Sequence, residues 1–128
     1  MRYRLLRVVV LASGALIVSA AQSQTLDQDR ERCQKREPTV VFAACTAVIR
    51  SGDQVARDEL VQAFSNRGFA YAHLGRYHRA IQDYDEAIRL KPNDARAFYN
   101  RGKTKLKIGD KVGENADIAR AIKLSRKP

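Results

Sequence analysis

Few side chains in this sequence have the type and spacing that chemistry requires. His73 and His78 are the only histidines, and neither has a cysteine, histidine or carboxylate at the spacing of a metal site. The sequence also has no phosphate-binding glycine loop, nucleophile elbow or zinc motif. It therefore predicts a protein that is not an enzyme and that uses no cofactor and no metal ion.

The densest group of acidic residues is formed by Asp83, Asp85 and Glu86. Neighbouring positions on a helix point in different directions, so these carboxylates do not converge on one reacting atom. We expect all three to be solvated charges near the outer surface.

Two cysteines, Cys33 and Cys45, lie twelve residues apart on either side of a turn predicted near Pro38. They could form a disulfide, remain two free thiols or act as a redox pair. Redox pairs usually have the spacing Cys-x-x-Cys at the start of a helix, which is absent here. The choice between a disulfide and free thiols depends on the compartment.

Residues 1–21 have the pattern of a secretory signal peptide. Three arginines precede an uncharged run over residues 8–20, and small residues follow it. Cleavage is expected after Ala21, or alternatively after Ser23. The apolar run is shorter than the roughly 20 residues that span a bilayer, although an uncleaved anchor is the other interpretation. The pattern predicts secretion across the inner membrane, in a bacterium to the periplasm.

Export changes the interpretation of the cysteines. In an oxidising compartment, a pair of cysteines is more often a disulfide than a pair of free thiols. We therefore predict a structural bond between Cys33 and Cys45 that joins two antiparallel helices.

Two segments, residues 61–94 and 95–128, repeat one pattern at an offset of 34 residues. The recurring pairs include Phe64 and Phe98, Asn66 and Asn100, Arg67 and Arg101, Gly68 and Gly102, and Gly75 and Gly109. A fixed period of this length indicates a supersecondary unit that buries its apolar face against the next copy.

The first of these segments has an aromatic residue, Gly and Tyr, then Ala, an aromatic residue and Ala, and finally Pro. These residues are Phe64, Gly68, Tyr71, Ala80, Tyr84, Ala87 and Pro92. In them the chain resembles the tetratricopeptide-repeat (TPR) family, although Arg67 stands where Leu is usual. The resemblance implies an all-α fold of antiparallel helix-turn-helix repeats, stacked as a short right-handed α-solenoid.

The other units match the pattern less well. In residues 95–128 the signature positions change to Lys105, Glu114, Ile118 and Arg126. Upstream, residues 41–50 align with 80–89 at an offset of 39, and residues 24–36 would form the preceding helix. The sequence therefore predicts about three hairpins within a domain of residues 22–128. Its units are a degenerate Cys-containing hairpin at 24–60, a well-matched repeat at 61–94 and a degenerate repeat at 95–128.

The resemblance also implies a binding surface, because the first helix of each unit in this family lines a concave groove that contacts extended peptides. Carried over by position, the lining candidates are Gln62, Asn66, Phe69, His73, Arg96, Asn100, Lys103 and Lys107. Asn66 and Arg96 match two positions with which some members clamp a C-terminal carboxylate, whereas Asn100 stands where that clamp has Arg. Alternatively, the two asparagines bond neighbouring helices.

The chain is basic, with a net charge of +10 that falls to about +7 once residues 1–21 and their three arginines are removed. The densest basic run is formed by Lys103, Lys105, Lys107 and Lys111. This run is either an anion-binding surface or a solvated helix face that keeps the protein soluble. Nucleic acid is not an expected partner, because the sequence has no arginine–aromatic stacking motif of a known reader.

These features together predict an exported interaction module, or adaptor, that binds a protein or peptide segment through the groove. One alternative is a structural module that associates with itself as a homo-oligomer. It would cover apolar positions of the last helix, namely Ile118, Ala121, Ile122 and Leu124. A second alternative is binding of membrane headgroups by the basic surface.

Overall fold

The computed structural model describes residues 25–35 and 37–126, which form six α-helices and no β-strand. The helices are α1 (25–33), α2 (Pro38–Arg50), α3 (Arg57–His73), α4 (Tyr77–Leu90), α5 (Ala95–Lys107) and α6 (Lys111–Ser125), with a short 3₁₀ turn at Gly52–Gln54. The predicted signal peptide lies outside the described residues. The first helix ends at residue 33, three residues earlier than predicted.

The helices pack in the order in which they occur along the chain. From α2 onward, each helix contacts the next one, and α3 also touches α5. Short connections make consecutive helices antiparallel, so the chain forms the hairpins α1–α2, α3–α4 and α5–α6. This arrangement confirms the predicted all-α fold of stacked helix-turn-helix units.

Glycines end the first helix of the second and third hairpins. Gly75 has φ of 71° and Gly109 has φ of 83°, so both adopt the left-handed conformation that ends a helix without steric cost for glycine. Pro38 lies in the first turn of α2, where its missing N–H is not needed. Pro92 follows the end of α4 at Leu90, as predicted.

The helices of the second hairpin approach each other closely at Gly68. A Cβ atom added there would lie 3.0 Å from Cε1 of Tyr84 and 3.2 Å from the carbonyl oxygen of Ala80. In the third hairpin, a Cβ at Gly102 would lie 3.2 Å from the carbonyl oxygen of Glu114. The degenerate unit therefore keeps the same close approach, because the backbone makes the contact whatever the side chain.

A disulfide joins Cys33, at the end of α1, to Cys45 in the middle of α2. Within residues 25–33, Cys33 is the one buried side chain, and Leu26 packs partly against the same apolar cluster. A cross-link that closes a loop of this size stabilises a fold by about 3 kcal/mol in the chain-entropy model. The bond therefore compensates for the small apolar area that α1 buries.

The prediction that Asp83 is a solvated charge is wrong. Its residue is 5% exposed, and its carboxylate accepts hydrogen bonds of 2.8 Å from Nε and 2.7 Å from Nη2 of Arg67. A buried carboxylate needs such a partner, because the loss of hydration is otherwise uncompensated. Sequence reasoning missed the pair because the partner lies on a different helix. Asp85 and Glu86 do reach solvent.

The same ion pair recurs 34 residues later. Asp117 is 4% exposed and accepts hydrogen bonds of 2.8 Å and 2.6 Å from Arg101. The Nζ atom of Lys105 lies 2.9 Å from the same carboxylate, so Lys105 does not belong to an exposed basic run as predicted. Burial alone would raise the pKa of Asp117, but the hydrogen bonds from Arg101 and Lys105 outweigh burial and lower it.

Each of the two arginines also reaches back to the preceding hairpin. Nη1 of Arg67 donates to Oγ1 of Thr46 on α2 at 3.2 Å, and Nη1 of Arg101 donates to Oδ1 of Asp85 on α4 at 2.6 Å. Thr46 and Asp85 occupy equivalent positions in their units. The corresponding position on α6 is Ala119, which has no acceptor. We call these paired contacts the arginine ladder; it links α2 to α4 through α3, and α4 to α6 through α5.

Candidate binding groove

The eight predicted groove residues form two matching stripes on α3 and α5. On each helix the four positions are separated by four, three and four residues, a spacing that returns to one face of a helix. The two stripes are related by the 34-residue period, so that Asn66 corresponds to Asn100 and Phe69 to Lys103.

Two open cavities adjoin these stripes and share Phe69 and Asn100. The first, of about 370 Å³, is lined by Gln34, Lys35, Pro38, Val41, Ser65, Asn66, Phe69, Ala70, Arg96 and Asn100. The second, of about 300 Å³, is lined by Phe69, Ala72, His73, Tyr77, Tyr84, Asn100, Lys103, Thr104 and Lys107. We call these two cavities together the α3–α5 groove. It contains seven of the eight predicted residues.

The remaining predicted residue, Gln62, lines a third cavity of about 440 Å³ together with Arg96. This cavity has a different charge, because Asp58 and Asp94 also line it. Oδ1 of Asp94 accepts hydrogen bonds from the backbone N–H groups of Arg96 and Ala97, and so caps the start of α5.

The lining of the α3–α5 groove is cationic. It includes Lys35, Arg96, Lys103 and Lys107, and no carboxylate lines either of its two cavities. Lys35 is paired with Glu31 at 3.1 Å, whereas the other three cations form no ion pair within the described residues. Such a set of uncompensated positive charges attracts anionic ligands.

An exposed aromatic side chain lies where the two cavities meet. Phe69 is 46% exposed, and its ring centroid lies 4.1 Å from that of His73. Nδ1 of His73 is 3.1 Å from the carbonyl oxygen of Phe69, which fixes the imidazole beside the ring. The pair offers an apolar contact surface among the cations.

The two asparagines have different surroundings. Nδ2 of Asn66 donates to the carbonyl oxygen of Cys33 at 3.0 Å, which agrees with the alternative that this residue bonds a neighbouring helix. The side chain of Asn100 forms no such bond within the described residues and is partly exposed. The amide of Asn100 is therefore open to a ligand in both directions.

Sequence reasoning missed the wall that the first hairpin contributes. Gln34 and Lys35 follow α1, and Pro38 and Val41 lie in the first turns of α2. The preceding segment matches the repeat pattern poorly, so no register was available from which to assign these positions. In contrast, Tyr77 and Thr104 lie in well-aligned units and could have been found from the helical period.

Two further properties bear on the site. Among the side chains that the structure describes, there is no group of three His, Cys, Asp or Glu residues that could hold a metal ion. None of the six helices is long and apolar enough to cross a membrane over the described residues.

Comparison with known proteins identifies the repeated unit. Residues 68–109 match the family model described as the TPR repeat. The chain contains tetratricopeptide repeats. The matched TPR segment includes most of the well-matched unit and the start of the last one.

Curated relatives with similar sequences extend beyond the matched region. Tetratricopeptide repeat protein 36 from Mus musculus is 34% identical over 70 residues, which cover 55% of this chain and 38% of that protein. Its counterpart from Danio rerio is 37% identical over 59 residues, which cover 46% and 32%. A UPF0162 protein from Xylella fastidiosa (strain 9a5c) is 32% identical over 68 residues, which cover 53% and 24%. The chain thus spans well under half the length of these relatives.

A solved TPR structure has the same fold. The second TPR of Spaghetti (RPAP3), bound to an HSP90 peptide SRMEEVD, superimposes with a TM-score of 0.66 over 88% of this chain and 95% of that one. The sequence identity is 20%, so the likeness shows the fold alone.

Proposed function

We propose that this chain is an exported protein-interaction module, without catalytic activity, whose α3–α5 groove binds an extended acidic segment of a partner protein. The observation that carries the proposal is the lining of the groove. Arg96, Lys103 and Lys107 are unpaired within the described residues, Phe69 is exposed between them, and no carboxylate lines the groove. Acidic side chains would meet the cations, while an apolar residue would pack on Phe69.

The solved neighbour supports the choice of ligand class. Its peptide, SRMEEVD, contains three acidic residues and one basic residue. An extended backbone also presents N–H and C=O groups, which the amide of Asn100 can bond from both of its polar atoms. Because Asn66 is bonded to α1 and Asn100 replaces an arginine, we place the main charge recognition on α5 rather than on a complete carboxylate clamp.

A binding titration tests this proposal directly. Fluorescence anisotropy with labelled SRMEEVD and the purified oxidised protein should give saturable binding that weakens as salt is added. Lys103→Glu and Lys107→Glu should each weaken binding by about tenfold, a change of roughly 1.4 kcal/mol. Lys123→Glu on α6 makes the same change of charge outside the groove and should stay within about twofold.

Two outcomes would contradict the proposal. Equal losses in all three variants would mean that the net charge, not the groove, attracts the peptide. Equal affinity for a peptide in which lysines replace the three acidic residues would exclude acidic recognition.

The exported location remains part of the proposal and has its own test. Its support is the basic, apolar and small-residue pattern of residues 1–21 together with the disulfide of the first hairpin. When the full chain is expressed in a bacterium, the mature protein should appear in the periplasmic fraction. Its N-terminal residue should be Gln22, or Gln24 for the alternative cleavage site. A protein retained in the cytoplasm with an intact N-terminus would contradict export.

Self-association is the second candidate, and one exposed residue favours it. On α6, Ile122 is 44% exposed, whereas Ala121 is buried and Ile118 and Leu124 are partly buried. Sedimentation over a range of concentrations should then show a dimer that Ile122→Glu dissociates. A monomer at every concentration would exclude this candidate. Vesicles of anionic phospholipid, added in a parallel flotation assay, test headgroup binding by the same cations.

A further inference from the structure

We infer that the α3–α5 groove is complete only when the bond between Cys33 and Cys45 has formed, so that oxidation of this protein controls its binding of acidic segments. The inference rests on the proposed function of the groove and adds its regulation.

The wall of the first cavity follows directly from the disulfide. Cys33 is the last residue of α1, and the next two residues, Gln34 and Lys35, line the cavity. They face α3 and α5, which supply residues such as Phe69 and Asn100 to the same cavity. The position of Cys33 therefore determines where this part of the wall lies.

At its other end, the bond is anchored in a rigid core. Cys45 is fully buried, and it belongs to an apolar cluster that includes Val41, Ala44 and Val48 of α2. Val41 itself lines the first cavity. The disulfide thus connects the wall to a part of α2 that stays in place through its own packing.

The remaining contacts that hold α1 are few and weak. Arg30 forms ion pairs with Asp27 on its own helix and with Glu59 on α3, and the atoms involved are partly exposed. Exposed ion pairs of this kind contribute little to stability. Leu26 is only partly buried. Segments with few buried apolar contacts open at low free-energy cost, so α1 depends on its covalent bond.

One groove residue senses the position of α1 directly. The amide nitrogen of Asn66 donates to the carbonyl oxygen of Cys33 at 3.0 Å. If α1 moves away, Asn66 loses this partner and its side chain is no longer fixed in the cavity. In contrast, the second cavity, with His73, Lys103 and Lys107, has no residue from the first hairpin. We therefore expect reduction to weaken binding rather than abolish it.

The covalent step requires an external oxidant of the dithiol–disulfide class. The two thiols lose two protons and two electrons as the S–S bond forms, and the disulfide of the oxidant is reduced to two thiols. In the folded protein Cys33 is 4% exposed and Cys45 is 0% exposed, so a reductant reaches neither sulfur without local opening. The bond is therefore set at folding and then retained, which confines the binding form to molecules that have met the oxidant.

Two measurements test the inference, one with ligand and one without. In anisotropy titrations with labelled SRMEEVD, reduced wild type and Cys33→Ser/Cys45→Ser should each bind about tenfold more weakly than the oxidised protein. Thiol alkylation and mass spectrometry verify the redox state, and circular dichroism verifies the helices. Glu59→Gln breaks the ion pair to Arg30 but keeps the disulfide, and should stay within about twofold of wild type.

Hydrogen exchange of the ligand-free protein separates this inference from the proposed function. In the reduced protein, residues 25–35 should lose protection while α4, α5 and α6 keep theirs. Retained protection at 25–35, equal affinity of the two redox forms, or loss of protection throughout the chain would each overturn the inference. If the oxidised protein fails to bind the peptide, the proposed function is overturned, and the exchange result alone decides whether the disulfide holds the wall.

Discussion

The second and third hairpins contain the same buried ion pair in different surroundings. Around Arg67 and Asp83, the second hairpin buries Tyr71 and Tyr84, which are 6% and 1% exposed. The third hairpin instead places a cation, Lys105, beside its ion pair. Its two equivalents of the tyrosines are Lys105 and Ile118.

The difference shows two ways of keeping one charge inside a small helical repeat. In the second hairpin the carboxylate has one cation, and apolar side chains fill the remaining space. In the third hairpin Arg101 and Lys105 both contact Asp117, so charge replaces aromatic packing. We therefore expect the third hairpin to tolerate the loss of one cation better and to respond more strongly to acid and salt.

Removal of each arginine gives the largest contrast. Arg67→Met leaves Asp83 buried without a cation and should lower the free energy of unfolding by about 3 kcal/mol. Arg101→Met leaves Asp117 paired with Lys105 and should cost about 1–2 kcal/mol. Urea denaturation measures both. Arg89→Met, which breaks an exposed pair with Glu86, should cost less than about 0.5 kcal/mol. Equal losses for the two ladder arginines would remove the distinction between the hairpins.

Acid should act on the third hairpin through Asp117. Its folded pKa lies below the unfolded value, so its contribution to stability is present above about pH 4 and is lost as the pH falls through the folded pKa. Asp117→Asn should lower the unfolding free energy by about 2 kcal/mol at neutral pH. It should also make the decline of stability below pH 4 shallower. Asp53→Asn, at an exposed position, serves as the control, and an unchanged decline in Asp117→Asn would contradict the assignment.

The helix caps differ between the two hairpins as well. Asp110 accepts a hydrogen bond of 2.8 Å from the backbone N–H of Gly113, whereas Arg76, the equivalent residue before α4, provides no side-chain cap. Asp110→Ala should therefore lower the melting stability by about 1 kcal/mol. Arg76→Ala should change it by less than about 0.5 kcal/mol. Thermal unfolding followed by circular dichroism compares the two, and a similar cost for both would show that the cap contributes nothing.

The second cation of the third hairpin should have the smallest effect. Lys105→Met keeps the aliphatic length of the side chain while Arg101 remains bonded to Asp117, so we expect a loss of about 0.5 kcal/mol. Its clearer signature is a weaker dependence of stability on salt concentration, measured by urea denaturation at low and high sodium chloride. A salt dependence identical to that of the wild type would show that Lys105 fills space only.

The helical hairpins and the groove stripes follow from the sequence, because both depend on a strict period. Once Gly68 and Gly102 fix the register, the stripe positions follow by helical geometry. The same period contained the signal for the buried ion pairs, since Asp83 recurs as Asp117 exactly as Arg67 recurs as Arg101. A local view of neighbouring acids placed Asp83 in solvent, because the arginine that neutralises it lies sixteen residues away.

The role of Asn66 could not be reached in this way. Its partner is the backbone carbonyl of Cys33, which every residue type provides, so the sequence has no side-chain signal for the contact. Its position also depends on where α1 ends, and degenerate repeats leave helix ends undetermined. The groove wall at Gln34 and Lys35 escaped prediction for the same reason.

The arginine ladder also limits how the array can be lengthened by protein engineering. An added hairpin docked on α6 in the same register would bring its arginine to Ala119, where Thr46 and Asp85 have acceptors in the earlier units. Grafting a repeat onto this end therefore calls for Ala119→Asp as well, so that the incoming guanidinium finds an oxygen.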